Sequence, residues 1–196
     1  MVDTLYKRFQ TWSKNGSVYI ISDTHFDDKE QNKLVKDWPT PEVFIANLKK
    51  VVGKNDTLIH LGDVGNPEYM KYIKGYKVLL TGNHDKGNKV YEEYFDEIYN
   101  GPLFISDKLL LSHEPFMTRY ALNLHGHSHG GTFQENQNGM LALNFAGDVV
   151  GYKPINLRDI IRSGILKKVD SLHAQTVKDA CKRSDKRRKK QNKKNN

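Results

Sequence analysis

The apolar residues of this chain come in short runs, and most of those runs stop at a cluster of His, Asp or Asn. The runs are SVYIIS (17–22), TLIHL (57–61), KVLLT (77–81), LLLS (109–112), ALNL (121–124) and MLALNF (140–145). Their length and aliphatic content predict buried strands. PLFI (102–105) is expected to pair with LLLS in a hairpin. Helical patterns separate the early strands. In TPEVFIANLKKVVG (40–53), Thr40 is the expected N-cap and Pro41 opens the first turn; Phe44, Leu48, Val51 and Val52 share one face, and Gly53 ends it. NPEYMKYIKG (66–75), KVYEEYFDEIY (89–99) and NLRDIIRSG (156–164) read as further helices. Alternating strand and helix predicts a layered α/β domain.

A length of 196 residues suits one such domain, expected over residues 1–165, with 166–196 as an appendage. That appendage begins with an expected helix over 169–183, capped by Asp170, and continues as a basic, solvated and disordered tail. The chain has 31 Lys and Arg against 23 Asp and Glu. Nine of the bases but only Asp185 of the acids fall in 182–196, which leaves 22 of each sign in 1–181. The net charge of +8 therefore belongs to the tail, and the domain itself is not a basic nucleic-acid-binding surface. The tail gives an expected electrostatic attraction to nucleic acid without sequence readout, with a plain solvated tail as the alternative. No apolar run has the length of a membrane span, and Met1–Gln10 lacks the apolar core of a secretory signal, so a soluble, cytoplasmic protein is expected. The lone Cys181 rules out an internal disulfide and a thiolate metal site. Any metal must be held by His, Asp and Asn.

The strand ends supply those residues. YIIS leads into Asp23-Thr24-His25, and LIHL into Gly62-Asp63. VLLT leads into Gly82-Asn83-His84-Asp85, LLLS into His113, and LNL into His125-Gly126-His127-Ser128-His129. In open α/β sheets, ligands bind outside the carboxyl ends of the strands, so the five clusters should converge. Asp-x-His and His-x-His place alternate side chains on one side of an extended segment. Glycines 62, 82 and 126 allow sharp turns and close backbone approach. Carboxylate and imidazole suit manganese, iron, zinc or nickel. Two such ions about 4 Å apart would clamp a phosphoryl group and activate water.

The ordered series Asp23-x-His25, Gly62-Asp63, Gly82-Asn83-His84-Asp85, His113 and Gly126-His127-x-His129 resembles the calcineurin-like metallophosphoesterase superfamily. LNFAGDVVGYKPINLRDI, which begins at Leu143, extends the likeness toward small bacterial-type members. The resemblance implies an αββα sandwich of two mixed sheets flanked by helices. It implies that Asp23, His25 and His129 hold one divalent ion, that Asn83, His113 and His127 hold a second, and that Asp63 bridges them. Manganese is the first expectation for both. His84 would donate a proton to the leaving oxygen, and Asp85 would orient His84 by accepting from its other ring nitrogen. Water activated between the ions would attack phosphorus in line. The chain departs from the Ser/Thr phosphatases of the superfamily: Asp63 is followed by VGNPEY, and Asp85 closes the Gly-Asn-His block. Asp27-Asp28 stand where close small members have Gly-His, either to disfavour highly anionic substrates or as turn residues.

Substrate contacts are expected from Asn83 and His84, with His125 as a weaker candidate. His60 reads as a hydrogen-bonded core residue and Glu114 as a turn acid. Asn144 and Asp148 read equally well as supports of the site or as packing and turn residues. The expected activity is dinuclear-metal hydrolysis of phosphodiesters derived from nucleotides or nucleic acid. A phosphomonoesterase or an inactive scaffold of the same fold is the alternative.

Overall fold

The computed structural model describes Val2 and residues 4–192. The first sheet is built from β1 (Val18–Ile21), β2 (Thr57–His60), β3 (Tyr76–Thr81), β4 (Glu97–Asn100) and β10 (Ile155–Asn156), in the order β10-β1-β2-β3-β4. β1 to β4 run parallel, and β10 closes the edge antiparallel to β1. The second sheet has the order β5-β6-β7-β9-β8. It comprises β5 (Leu103–Phe104), β6 (Leu109–Leu111), β7 (Leu122–His125), β8 (Gln134–Gln137) and β9 (Met140–Asn144). There β6, β7 and β9 are parallel, while β5 and β8 are antiparallel edges. The helices are α1 (Lys29–Asn32), α2 (Pro41–Val51), α3 (Leu157–Arg162) and α4 (Leu172–Asn192). The result is the expected pair of mixed sheets flanked by helices.

Strand alternation explains the layers. Ile20, Ile59, Leu61, Val78 and Leu80 of the first sheet meet Leu109, Leu111, Leu122, Leu124, Leu141 and Leu143 of the second in one core. Leu157 and Ile160 of α3 join it, as do Phe9 and Trp12 from a 3-10 helix over Lys7–Ser13. The other face of the first sheet presents Ile21, Leu58 and Leu79 to Phe44, Ile45 and Leu48 of α2 and to Met70, Tyr91 and Phe95. Each fully buried aliphatic side chain contributes about 1.5–3 kcal/mol, so these two cores fix the strand ends relative to one another.

Several expected elements differ. Residues 66–75 make only a 3-10 helix over Pro67–Tyr72, because the chain must turn at Gly75 (φ +92°) to start β3. The segment 89–99 is not a helix. It makes a short 3-10 turn at Asn88–Val90, buries Tyr91 and Phe95, and then pairs as β4 with β3. The ladder of β3 outweighs the local helical spacing, helped by the Asp96 carboxylate accepting from Lys77 N at 2.7 Å. α4 remains helical through Asn192, beyond the point where an irregular tail was expected. Lys, Arg and Gln are good helix formers, and the described side chains there are mostly exposed. Residues 193–196 of that tail lie outside the described residues. Among the described residues, no helix is long and apolar enough to cross a membrane.

Candidate metal centre and active site

The carboxyl ends of β1, β2 and β3 face those of β6 and β7 across the gap between the sheets. Backbone bonds tie this edge together: Ser22 N donates to Phe145 O at 2.9 Å, Asp23 N to Gly62 O at 2.9 Å and Gly126 N to His113 O at 2.9 Å. Four of the expected ligands leave their strands in the left-handed region: Asp23 (φ +54°), His25 (+40°), Asp63 (+57°) and His127 (+66°). Each such backbone costs roughly 1–2 kcal/mol, strain of the kind that concentrates at functional sites. Glycine is needed beside them for space. A Cβ on Gly82 would lie 2.2 Å from Asp63 Oδ1, and one on Gly126 would lie 2.3 Å from Asp23 Oδ2.

Two groups of candidate ligands result. In the first, His129 Nε2 lies 3.6 Å from Asp23 Oδ1 and 3.3 Å from His25 Nε2, and His25 Nε2 lies 3.8 Å from Asp23 Oδ1. In the second, Asn83 Oδ1 lies 2.9 Å from His113 Nε2 and 3.0 Å from His127 Nδ1. Asp63 stands between them, its Oδ2 3.7 Å from His25 Nε2 and 3.3 Å from His113 Nε2. Asp23, His25, Asp63 and His113 are buried, whereas Asn83, His84 and His127 are exposed at the rim. The cluster therefore has a buried floor and an open mouth.

This donor set fits divalent cations. Asp23 Oδ1 is buried without a hydrogen-bond partner, which is costly for a carboxylate oxygen that no cation meets. The outer nitrogens are directed elsewhere: His113 Nδ1 donates to Leu61 O at 2.8 Å and His129 Nδ1 to Asp148 Oδ1 at 2.8 Å. Those bonds leave the Nε2 lone pairs facing the cluster. Burial opposes charge on His113, but the Asp63 and Asp23 carboxylates raise its pKa to about 9. Burial likewise works against Asp63 and Asp23, while the histidines around them pull both carboxyls below the usual range.

The remaining expected residues divide. His84 donates its backbone N–H to Asp63 Oδ1 at 2.9 Å, and its ring stands 5.6 Å from that of His25. Asp85 does not orient that ring. Its Oδ2 accepts from Asp63 N and Gly82 N, each at 2.8 Å, and its Oδ1 from Val64 N at 2.9 Å and Tyr91 Oη at 3.0 Å. Asp85 is a clamp on the loops that carry the ligands. Gln31, not Asp85, meets the ring: its Nε2 donates to His84 Nε2 at 3.2 Å. His125, expected as a weaker substrate contact, is not exposed at the rim. Alternation along β7 sends Leu124 into the inter-sheet core and His125 to the opposite face, where it is fully buried and its Nδ1 donates to Gly126 O at 2.7 Å. Burial lowers its pKa.

Asn144 and Asp148 both support the site. Asn144 Nδ2 donates to Ser128 O at 2.7 Å, and Asp148 Oδ2 accepts from Gly130 N at 2.6 Å. Asp28 caps α1 by accepting from Gln31 N, and its Oδ2 lies 3.6 Å from His25 Nδ1. Trp38, which no motif marks, packs edge-on against His25 and His129 at ring separations of 5.9 and 5.6 Å.

His60 is the core residue expected. Gly62 N donates to its Nδ1 at 3.2 Å, and its Nε2 donates to Thr24 Oγ1 at 3.0 Å. Burial lowers its pKa to about 4, against the pull of Asp85, Asp23 and Asp63. The folded value lies below the free value of about 6.5, so protonation favours the unfolded chain. The stability from neutral His60 is intact above about pH 6.5 and is lost as pH falls toward 4. Thermal midpoints should drop through that window; a flat profile would contradict the buried neutral ring.

Two sheets bearing His/Asp groups at facing strand ends define an α/β protein with a candidate metal centre. The chain belongs to the calcineurin-like phosphoesterase family, whose model matches residues 16–178. It is similar to the protein of unknown function AQ665 from Aquifex aeolicus, at 32% identity and a TM-score of 0.61, over 74% of this chain and 98% of that one. More distant likenesses are to the nuclease MPE of Pseudomonas putida and to a novel archaeal phosphodiesterase. The first has 20% identity and a TM-score of 0.46 over 65% of this chain and 73% of that one. The second has 18% identity and a TM-score of 0.43 over 72% and 99%. Among curated proteins nothing matches.

Proposed function

We propose that the chain hydrolyses phosphodiesters with two divalent cations, manganese first among those its ligands suit. Asp23, His25 and His129 would hold one, Asn83, His113 and His127 the other, and Asp63 both. The observation that carries this is the position of Asp63, whose single Oδ2 serves imidazoles of both groups. When bound, the cations supply Lewis-acid polarisation of the phosphoryl group and acidify water. His84 sits exposed beside them and is the proton donor to the leaving oxygen. Gln31 Nε2 donates to His84 Nε2, so Nδ1 is the ring nitrogen left to deliver the proton.

A diester is favoured over a monoester by the charge at the mouth. The cleft of about 640 Å³ that His84 lines also carries Asp27, Asp28, Glu30 and Glu68 against Lys29 and Lys86. A monoanionic diester is repelled less there than a dianionic monoester. The basic segment 182–196 would add attraction to nucleic-acid phosphates without reading sequence.

One panel tests this reading. With manganese, bis-p-nitrophenyl phosphate should turn over faster than p-nitrophenyl phosphate. His84→Ala should keep its metal and lose on the order of 10²-fold or more on diesters with alkoxide leaving groups, and much less where p-nitrophenolate leaves. Deleting 182–196 should weaken nucleic-acid binding and its salt dependence while sparing the small diester. No turnover with manganese, iron, zinc or nickel would make the chain a scaffold rather than an enzyme, and a preference for the monoester would make it a monoesterase.

A further inference from the structure

We propose that Phe116 is a stacking platform for the base of a nucleoside esterified to the phosphate; this rests on the diester reading and names its substrate. A cleft of about 300 Å³ opens directly on the metal-binding groups, lined by Asn83 and His113 and continued by Gly101, Pro102, Pro115 and Phe116. It shares no residue with the acidic cleft that His84 lines. The two sides of the scissile phosphate thus have different surroundings. The leaving group departs on the His84 side, and the group that stays on phosphorus extends along Phe116.

Phe116 is 52% exposed, although it is a large aromatic residue beside two ligand positions. Its backbone is held in place. Phe116 N donates to Oδ1 of the fully buried Asn123 at 2.7 Å, and Asn123 Nδ2 donates to Ser112 Oγ at 2.8 Å. Ser112 Oγ in turn donates to Glu114 O at 2.6 Å. An exposed ring on a backbone held in place offers its face without the cost of ordering the loop. The lining has no Lys or Arg, and its ionisable groups are His113 and Glu114. The group received is therefore neutral, not a further phosphate. The Thr81 hydroxyl oxygen and the Glu114 carboxylate provide acceptors of the kind sugar hydroxyls use. A flat ring joined by a hydroxylated linker to the phosphate is a nucleoside, and stacking on an aromatic face tolerates every base.

The test uses the manganese-loaded full chain. Its kcat/KM for the p-nitrophenyl ester of thymidine 5′-phosphate is compared with that for methyl p-nitrophenyl phosphate, and calorimetry gives the Kd of thymidine 5′-monophosphate and of inorganic phosphate. The wild type should prefer the nucleoside ester by roughly tenfold or more. Phe116→Ala should lower that preference, and thymidine 5′-monophosphate affinity relative to phosphate, at least about fivefold. Phe116→Trp should retain both, and Phe116→Leu should not. Values for Phe116→Ala within twofold of wild type, or an equal loss for inorganic phosphate, would overturn the proposal. If nucleotide binding depends on Phe116 but neither ester is hydrolysed, the docking site stands and the diesterase reading falls.

Discussion

Asp63→Ala is expected to cripple the proposed diester hydrolysis and to release both proposed cations together. Among the described residues, its Oδ2 is the one carboxylate oxygen within 4 Å of imidazoles from both groups, His25 at 3.7 Å and His113 at 3.3 Å. Metal polarisation of the reacting group is worth several kcal/mol; at about 1.4 kcal/mol per factor of ten, the rate loss is on the order of 10³-fold. Asp63→Asn should fall nearly as far. An amide could still accept from His84 N through Oδ1, but it brings an NH₂ where a second anionic donor is required. Metal content by elemental analysis separates this from a simple rate effect. Retention of both ions by Asp63→Ala would remove Asp63 from the bridging position.

Asp85→Asn should destabilise the fold nearly as much as Asp85→Ala, which is the opposite of what a residue tuning His84 would do. Each carboxylate oxygen accepts two bonds, three of the four from backbone N–H groups of Gly82, Asp63 and Val64. Hydrogen bonds to a charged group contribute about 1.5–3 kcal/mol each and do not add in full, so a loss of about 3 kcal/mol is expected. An asparagine turns its NH₂ either toward the N–H groups of Asp63 and Gly82 or toward that of Val64, and leaves at least one backbone donor unmatched. Activity should fall as well, because Asp63 and Gly82 sit on the loops that Asp85 ties together. Denaturant midpoints of the two variants and of Tyr91→Phe decide it. Tyr91→Phe removes only the Oη bond at 3.0 Å and should cost about 1 kcal/mol. A fully stable Asp85→Asn with a shifted pH–rate profile would restore the orienting role.

The parallel strands were legible because each has to cross two apolar layers and then stop. Val18–Ile21, Thr57–His60 and Tyr76–Thr81 all lie within the apolar runs that announce them or within a residue of those runs. The convergence of the clusters followed from topology, since parallel neighbours place their carboxyl ends on one edge. β8, Gln134–Gln137, gave no signal because an edge strand of Gln, Glu and Asn is held by backbone pairing to β9 and not by side-chain burial. Residues 89–99 misled because Tyr91 and Phe95, four apart, do share a buried face, but over a turn that ends in β4.

Within the site, residue type was legible and partnership was not. Adjacency to His84 suggested that Asp85 serves its ring, yet the turn directs the carboxylate back onto Gly82 and across to Asp63. His125 stands next to Gly126 and shares the chemistry of His127, but strand parity decides its direction. Gln31, Trp38 and Phe116 reach the site from loops and from a single-turn helix, with no spacing rule to mark them. The left-handed backbone at Asp23, His25, Asp63 and His127 is also invisible in residue identity, although it aims all four side chains.

The most direct measurement is an anomalous-difference map from crystals of the full chain grown with manganese. The account predicts two peaks, one among Asp23, His25 and His129 and one among Asn83, His113 and His127, with Asp63 Oδ2 touching both. A peak elsewhere, or none at these seven side chains, would contradict it.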